Sequence, residues 1–356
     1  MSSTISPPIE YLKSALSVNT ALGCSLGCGY CVIGEIARKS PKRISTPENV
    51  VSDLVENRLF IPDITPLAIN NKTDPFLGFV KEDTFRILEL LQERNLQNPK
   101  IIISKLALTR RDLRELEQLN SPLYFITSYS HLKFPIEKSN SENQLTSFRT
   151  LKDRENVISL HYWRPIVKNL NDSKDSIKRV LENVVESCEG SILSGLRITK
   201  GIKEKMENYG ADLTGWNGDS NHKYLPVEIQ EKILEIRNKL FPGYPLYRHT
   251  SCGLSSPVGS TDYGLNFLKG EPHCIASCTN GCTLKSKPDN KEIDYYIARL
   301  GLNRAYSADD KEIYVRGDLS QEEKSFLSHN LRFPIRADKI NKTLSERLIT
   351  EENGIK

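Results

Sequence analysis

Residues 21–31 read Ala21-Leu22-Gly23-Cys24-Ser25-Leu26-Gly27-Cys28-Gly29-Tyr30-Cys31, directly after an apolar run at 15–22 that reads as a strand. Three cysteines, separated by three and two residues, lie in a glycine-rich segment. Glycine at 23, 27 and 29 relieves the steric limits on a curled backbone. Three thiolates so spaced can wrap one compact inorganic centre. They leave one iron of a 4Fe-4S cube without a protein ligand, where the usual protein-held cube has four. An open metal position is a place for a substrate or cofactor to bind. The other reading, a structural zinc site, would normally show a fourth ligand.

Working outward, the first 200 residues alternate β-rich runs with helical patterns. Strands are expected at 15–22, 66–71, 100–106, 123–128, 157–166 and 191–198. Helices are expected at 49–59, 82–95, 109–120, 142–154 and 174–188, the first opened by Thr46 as N-cap, Pro47 and Glu48. This alternation predicts an α/β fold with a parallel sheet and helices outside it, either an open doubly wound sheet or an incomplete barrel. In both, ligands gather at the C-terminal ends of the strands, and the cysteine segment follows the first of them. The last third changes character. Residues 201–222 read as a loop, 227–241 as an amphipathic helix and 245–250 as a short run before Cys252. Residues 291–300 and 320–331 read as helical, and 312–316 as extended.

The spacing Cys24-x-x-x-Cys28-x-x-Cys31, with aromatic Tyr30 before the third cysteine and a place after strand one, resembles the radical S-adenosylmethionine (radical SAM) superfamily. The resemblance covers about residues 15–200 and implies a partial (β/α)6, TIM-like barrel. It further implies that S-adenosylmethionine chelates the open iron and is reductively cleaved to a 5′-deoxyadenosyl radical, which abstracts a substrate hydrogen. Later strand ends are then expected to hold the cofactor. Asn71, Lys72, Thr73 and Asp74 resemble the stretch that receives the methionyl ammonium in enzymes similar to spore photoproduct lyase; the bland reading is a polar turn before Pro75. Ser104 and Ser128 are candidates for ribose oxygens, and Lys105 for the carboxylate. Arg164, among apolar neighbours, suits the same carboxylate or a structural ion pair.

A second cysteine group, Cys252, Cys274, Cys278 and Cys282, is spaced for metal, because Thr279, Asn280 and Gly281 oppose an apolar helix. Four thiolates satisfy zinc; beside a radical cluster, the resemblance favours a second, auxiliary 4Fe-4S cluster. The spacing does not match the SPASM pattern. Cys252 either completes that cluster or points into the barrel as a hydrogen donor. Cys188 falls on the apolar face of the 174–188 helix and reads as a small core hydrophobe. His249 and His273 flank cysteines without ligand spacing. Asp212, Trp216, Asn217 and Asp219 read as a solvated loop or as substrate contacts.

Composition bounds the rest. The chain has 356 residues, 38% hydrophobic and 26% charged, which excludes a disordered chain or a fibre. It has no stretch of roughly 20 apolar residues to span a bilayer and no signal-peptide pattern at its start. Eight cysteines in such a chain read as reduced thiols, placing it in the cytoplasm. Net charge is +4, with basic and acidic residues interspersed, which argues against nucleic acid as a partner. The expected organisation is a barrel over residues 1–200, a C-terminal auxiliary-cluster region over 201–336 and a charged tail over 337–356. The expected activity is hydrogen abstraction from a small-molecule or natural-product substrate, by epimerisation or oxidation, fed by flavodoxin or ferredoxin. Nucleic-acid lesion repair and a non-catalytic metal-binding adaptor are the alternatives.

Overall fold

The computed structural model describes residues 7–36, 40–218, 223–269, 274, 281–303 and 305–343. Cys278, His273 and Asp219 lie outside the described residues. Strand β1 (Ile9–Tyr11) pairs antiparallel with β2 (Leu16–Val18), and a short β3 (Ala21–Leu22) leads into the cysteine loop. The strand expected at 15–22 is thus interrupted, and the break has a local cause. The Asn70 side-chain oxygen accepts the Thr20 backbone N–H at 2.8 Å, drawing the chain away from the ladder. Helix α1 (Ile33–Ile36), strand β4 (Lys42–Arg43), paired with β3, and helix α2 (Pro47–Glu56) follow. Thr46 caps α2 by accepting the Asn49 N–H at 3.2 Å, with Pro47 at the first helical position as the sequence predicts.

The repeat then runs β5 (Leu67–Ile69), α3 (Gly78–Glu93), β6 (Lys100–Ser104), α4 (Arg110–Glu117), β7 (Leu123–Ser128), α5 (Ser141–Leu151), β8 (Val157–Ile166), α6 (Lys174–Val184) and β9 (Ser191–Arg197). Strands β2, β5, β6, β7, β8 and β9 are parallel neighbours in that order, the partial (β/α)6 barrel expected. Period-2 alternation splits them into two faces. Ala68, Ile101, Tyr124, Ile126, Leu160, Tyr162 and Ile192 meet inside the barrel. Ile102, Leu123 and Phe125 face the helices on the other side. Burial on both faces accounts for near-continuous apolar runs such as Ile101–Ile103.

Two sequence expectations change on either side of β9. Residues 201–222, read as a loop, contain helix α7 (Lys200–Asn208), capped by Thr199 and anchored by buried Ile202 and Met206. Cys188 falls beyond the end of α6, yet it still packs against the core around Trp163 and Ile177. Strand β10 (Lys223–Tyr224) joins β9 antiparallel. After helix α8 (Val227–Leu240), strand β11 (Leu246–Tyr247) joins β9 parallel, and the short helix α9 (Thr250–Ser255) follows.

The chain ends in a second α/β layer: α10 (Asn290–Arg299), β12 (Tyr306–Ala308), β13 (Ile313–Ser320), α11 (Gln321–Leu331) and β14 (Ile335–Asn341). Strand β14 runs into the stretch whose charge suggested a peripheral tail and pairs parallel with β13. The layer shares one core with the start of the chain, where Phe326, Leu327 and Phe333 pack with Tyr11, Leu54 and Phe60. The Tyr11 hydroxyl and His329 Nδ1 are 3.0 Å apart, and Arg58 pairs with Glu323 at 2.9 Å. Among the described residues no helix is long and apolar enough to cross a membrane.

His161 bridges β7 and β9 from the middle of β8. Its Nε2 lies 2.9 Å from the Tyr129 carbonyl, which can only accept, so Nε2 carries the proton and Nδ1 accepts from the Ser191 hydroxyl at 2.8 Å. Burial depresses the imidazole to about 4. A folded value below the unfolded value of about 6.5 means that the unfolded chain binds the extra proton first as pH falls. Stability is therefore expected to drop by up to about 3 kcal/mol between pH 6.5 and 4. Urea unfolding across that range measures it, and His161→Gln flattens this part of the slope.

Candidate functional site

The cysteine loop curls where the backbone permits: Gly23 has φ 103° and Gly27 φ 65°, a region open to glycine at no steric cost. Its ends are tied to neighbouring strand ends. The Gly23 N–H donates to the Lys72 carbonyl at 3.2 Å and the Gly29 N–H to the Ile136 carbonyl at 2.8 Å. Cys24, Cys28 and Cys31 are unbridged thiols at partly exposed positions. Burial pushes the Cys24 thiol up to about 11 and the Cys28 thiol up to about 12.

Buried Glu137, in the segment after β7, organises this loop. Its carboxylate accepts from the Cys28 thiol at 3.1 Å, the Ser139 hydroxyl at 2.7 Å, the Tyr30 hydroxyl and the Lys105 ammonium, which also donates to Tyr30 at 2.6 Å. Burial alone would raise the Glu137 carboxyl, but the Lys105 charge and these hydrogen bonds hold it down at about 2. No motif announced Glu137. The signal lay in the need of a half-buried lysine at a strand end for a partner.

The residues expected to hold a cofactor divide into two sets. One set is satisfied internally. Asn71 accepts from the Ser17 hydroxyl. Lys72 is paired with Glu10 at 3.0 Å, and Lys105 with Glu137. Asp74 accepts from the Phe76 N–H, the Ser104 hydroxyl and the Lys105 N–H at 3.1, 2.9 and 2.8 Å, lashing the end of β5 to that of β6. Burial raises its carboxyl. The other set is open. Among the described residues the buried hydroxyls of Thr73, Thr127 and Ser128 have no hydrogen-bond partner. A buried unpaired hydroxyl is costly and in a native fold calls for a partner outside the chain. Arg164 stacks on Tyr162, its guanidinium carbon 4.2 Å from the ring centre, and among the described residues it makes no ion pair. Asp212 is committed to Lys168 at 2.9 Å, which suits a solvated loop.

Of the second cysteine group, Cys252, Cys274 and Cys282 lie among the described residues. Cys252, on α9, packs against the inner layer of the barrel. Burial and the Asp262 carboxylate, which hydrogen-bonds it, push its thiol well up, and Cys282 is near enough to add to the effect. Asp262 is itself held ionised, against its burial, by hydrogen bonds from Ser251, Asn266 and Gly264. Among the described residues no three His, Cys, Asp or Glu side chains stand together as ligands of one metal ion.

No family model matches the chain, and no curated protein matches its sequence. Solved structures share its fold. A mutant spore photoproduct lyase aligns at 12% identity and TM-score 0.50, over 68% of this chain and 79% of that one. Another mutant of spore photoproduct lyase, with bound AdoMet and dinucleoside spore photoproduct, aligns at 14% identity and TM-score 0.50, over 68% and 79%. At this identity the likeness is one of fold.

Glu137→Gln keeps the shape but leaves the Lys105 ammonium without its counter-charge. Breaking a buried pair from one side costs about 3–5 kcal/mol. Denaturant unfolding of the variant is expected to show a loss of that order, and an unchanged midpoint would sink the role given to Glu137.

Proposed function

We propose that the protein is a radical SAM enzyme in which Cys24, Cys28 and Cys31 hold a 4Fe-4S cluster that binds S-adenosylmethionine. One coincidence carries the reading. Three unbridged thiols follow the first barrel strand, and unpartnered hydroxyls stand at the ends of later strands, on a fold shared with a lyase that binds AdoMet. The donor set fits the group: a cube takes its thiolates on separate corners, so its three ligands need not converge on one ion. When bound and reduced, the cluster supplies the electron that splits S-adenosylmethionine into methionine and a 5′-deoxyadenosyl radical.

The chain does the rest. The thiols anchor the iron, and Glu137 with Tyr30 and Lys105 keeps their loop against the strand ends. Thr73, Thr127 and Ser128 offer hydroxyls to the polar parts of the cofactor. The inner layer of Leu160, Ile126 and Tyr124 excludes water from the barrel floor. An electron donor such as flavodoxin or ferredoxin is part of this reading.

For Cys252 we favour hydrogen donation over ligation. Cys252 packs against the inner layer of the barrel with Tyr124, Leu160 and Tyr162, where a substrate would lie. A substrate radical within the barrel would take the Cys252 hydrogen atom. Epimerisation of a small molecule ends in such a step. So does lesion reversal in nucleic acid, a reading favoured by the bound dinucleoside photoproduct in a lyase of this fold, against the expectation from charge. An auxiliary cluster on Cys274, Cys278 and Cys282 is compatible with either.

Anaerobic reconstitution with iron and sulfide, followed by a strong reductant and S-adenosylmethionine, tests the class. Formation of 5′-deoxyadenosine and methionine is expected, and it is lost in Cys24→Ala, Cys28→Ala and Cys31→Ala. Intact S-adenosylmethionine returned by iron-loaded protein would leave the adaptor reading. Iron for two clusters rather than one would establish the auxiliary site. Cys252→Ala is expected to keep its iron and still cleave S-adenosylmethionine; iron loss in that variant would make Cys252 a ligand.

A further inference from the structure

Tyr162, Lys223, Thr250 and Arg164 meet at the C-terminal end of the barrel. Tyr162 points inward from β8, above Leu160 and Ile158, and is buried. Its hydroxyl accepts from the Lys223 ammonium at 2.9 Å and lies 3.2 Å from the Thr250 hydroxyl. The Arg164 guanidinium carbon and the Lys223 nitrogen stand 4.2 and 5.3 Å from the Tyr162 ring centre. The stem of Lys223 is exposed, while its ammonium is buried against Tyr162. The β9–β10 ladder sets Lys223 directly opposite Arg197, a pairing of like charges that costs stability.

The rest of the barrel treats its buried cations differently. Lys72 has Glu10, and Lys105 has Glu137. Among the described residues neither Lys223 nor Arg164 has a carboxylate; they share one phenol. Burial alone would raise that phenol, yet the two cations hold it down at about 7. Positive charge that meets no carboxylate among the described residues is suited to an anion.

We propose that Lys223, Thr250 and Tyr162, backed by Arg164, form a subsite for an anionic oxygen group of the substrate, a phosphate or a carboxylate. Lys223 and Thr250 donate to its oxygens, and Arg164 supplies charge from across the Tyr162 ring. Thr250 opens the short helix that carries Cys252, so a substrate held there lies beside the thiol assigned as hydrogen donor. Only the word substrate rests on the proposed enzymatic reading.

The test is thermal unfolding of the full chain, titrated with sodium phosphate and separately with sodium acetate, against sodium chloride at equal ionic strength. A saturable rise in Tm is expected, because an anion that binds only the folded chain stabilises it. The apparent Kd is expected to weaken about ten-fold in Lys223→Gln, the effect of losing one charge-assisted hydrogen bond. Lys178→Gln, which removes an exposed lysine facing Glu182 on α6, keeps the wild-type affinity. The anion giving the tighter curve names the group. No saturable rise, or equal curves for Lys223→Gln and Lys178→Gln, overturns the subsite. So does loss of the rise when saturating S-adenosylmethionine is added to iron-loaded protein, which assigns the charges to the methionyl carboxylate. If Lys223→Gln does not fold, Thr250→Val takes its place with the same expectation. The titration needs no iron, so failure of S-adenosylmethionine cleavage with intact anion binding would defeat the enzymatic reading alone.

Discussion

One buried carboxylate holds the site in register. Glu137 gathers Lys105 from the end of β6, Tyr30 and Cys28 from the cysteine loop and Ser139 from its own segment. A glycine-rich loop has many conformations, and ordering it costs entropy that its small side chains cannot repay by burial. A desolvated charge with four donors around it can repay that cost, since charge-assisted hydrogen bonds strengthen away from water. The loop is fixed mainly by electrostatics, with Tyr30 adding packing against the apolar cluster around Ile136 and Leu196.

Satisfied and unsatisfied polar groups thereby separate architecture from site. Asp74 and Asn71 look like binding residues in the sequence, yet Asp74 spends its oxygens on the backbone and hydroxyl of adjoining strand ends and Asn71 accepts from Ser17. Thr73, Thr127 and Ser128 spend nothing, and neither Lys223 nor Arg164 finds a carboxylate among the described residues. Such deficits are costly, and another molecule at these strand ends would make them good. The two kinds of deficit differ in character: neutral hydroxyls at the ends of β5 and β7, and positive charge around Tyr162.

The strands were legible because each is buried on both faces and so reads as a continuous apolar run. Those at 123–128 and 157–166 match β7 and β8 end to end. The break at Asn19 and Thr20 was hidden, since its cause, Asn70, lies some fifty residues away. Helix α7 was missed for a related reason: its interior is mostly charged, and only Ile202 and Met206 mark the face that tertiary packing buries. The charge of residues 337–341 masked strand β14, whose pairing with β13 decides its place more than its side chains do.

Sequence alone determined the α/β alternation, the expectation of a parallel sheet and the position of three cysteines after the first strand. These are local properties, carried by periodicity and spacing along the chain. Only the tertiary structure decided which polar side chains remain open. That Lys105 belongs to Glu137, Lys72 to Glu10 and Lys223 to a tyrosine depends on which strand ends stand side by side. A charge finds its partner through space, over a few ångströms, and separation along the chain carries no record of it.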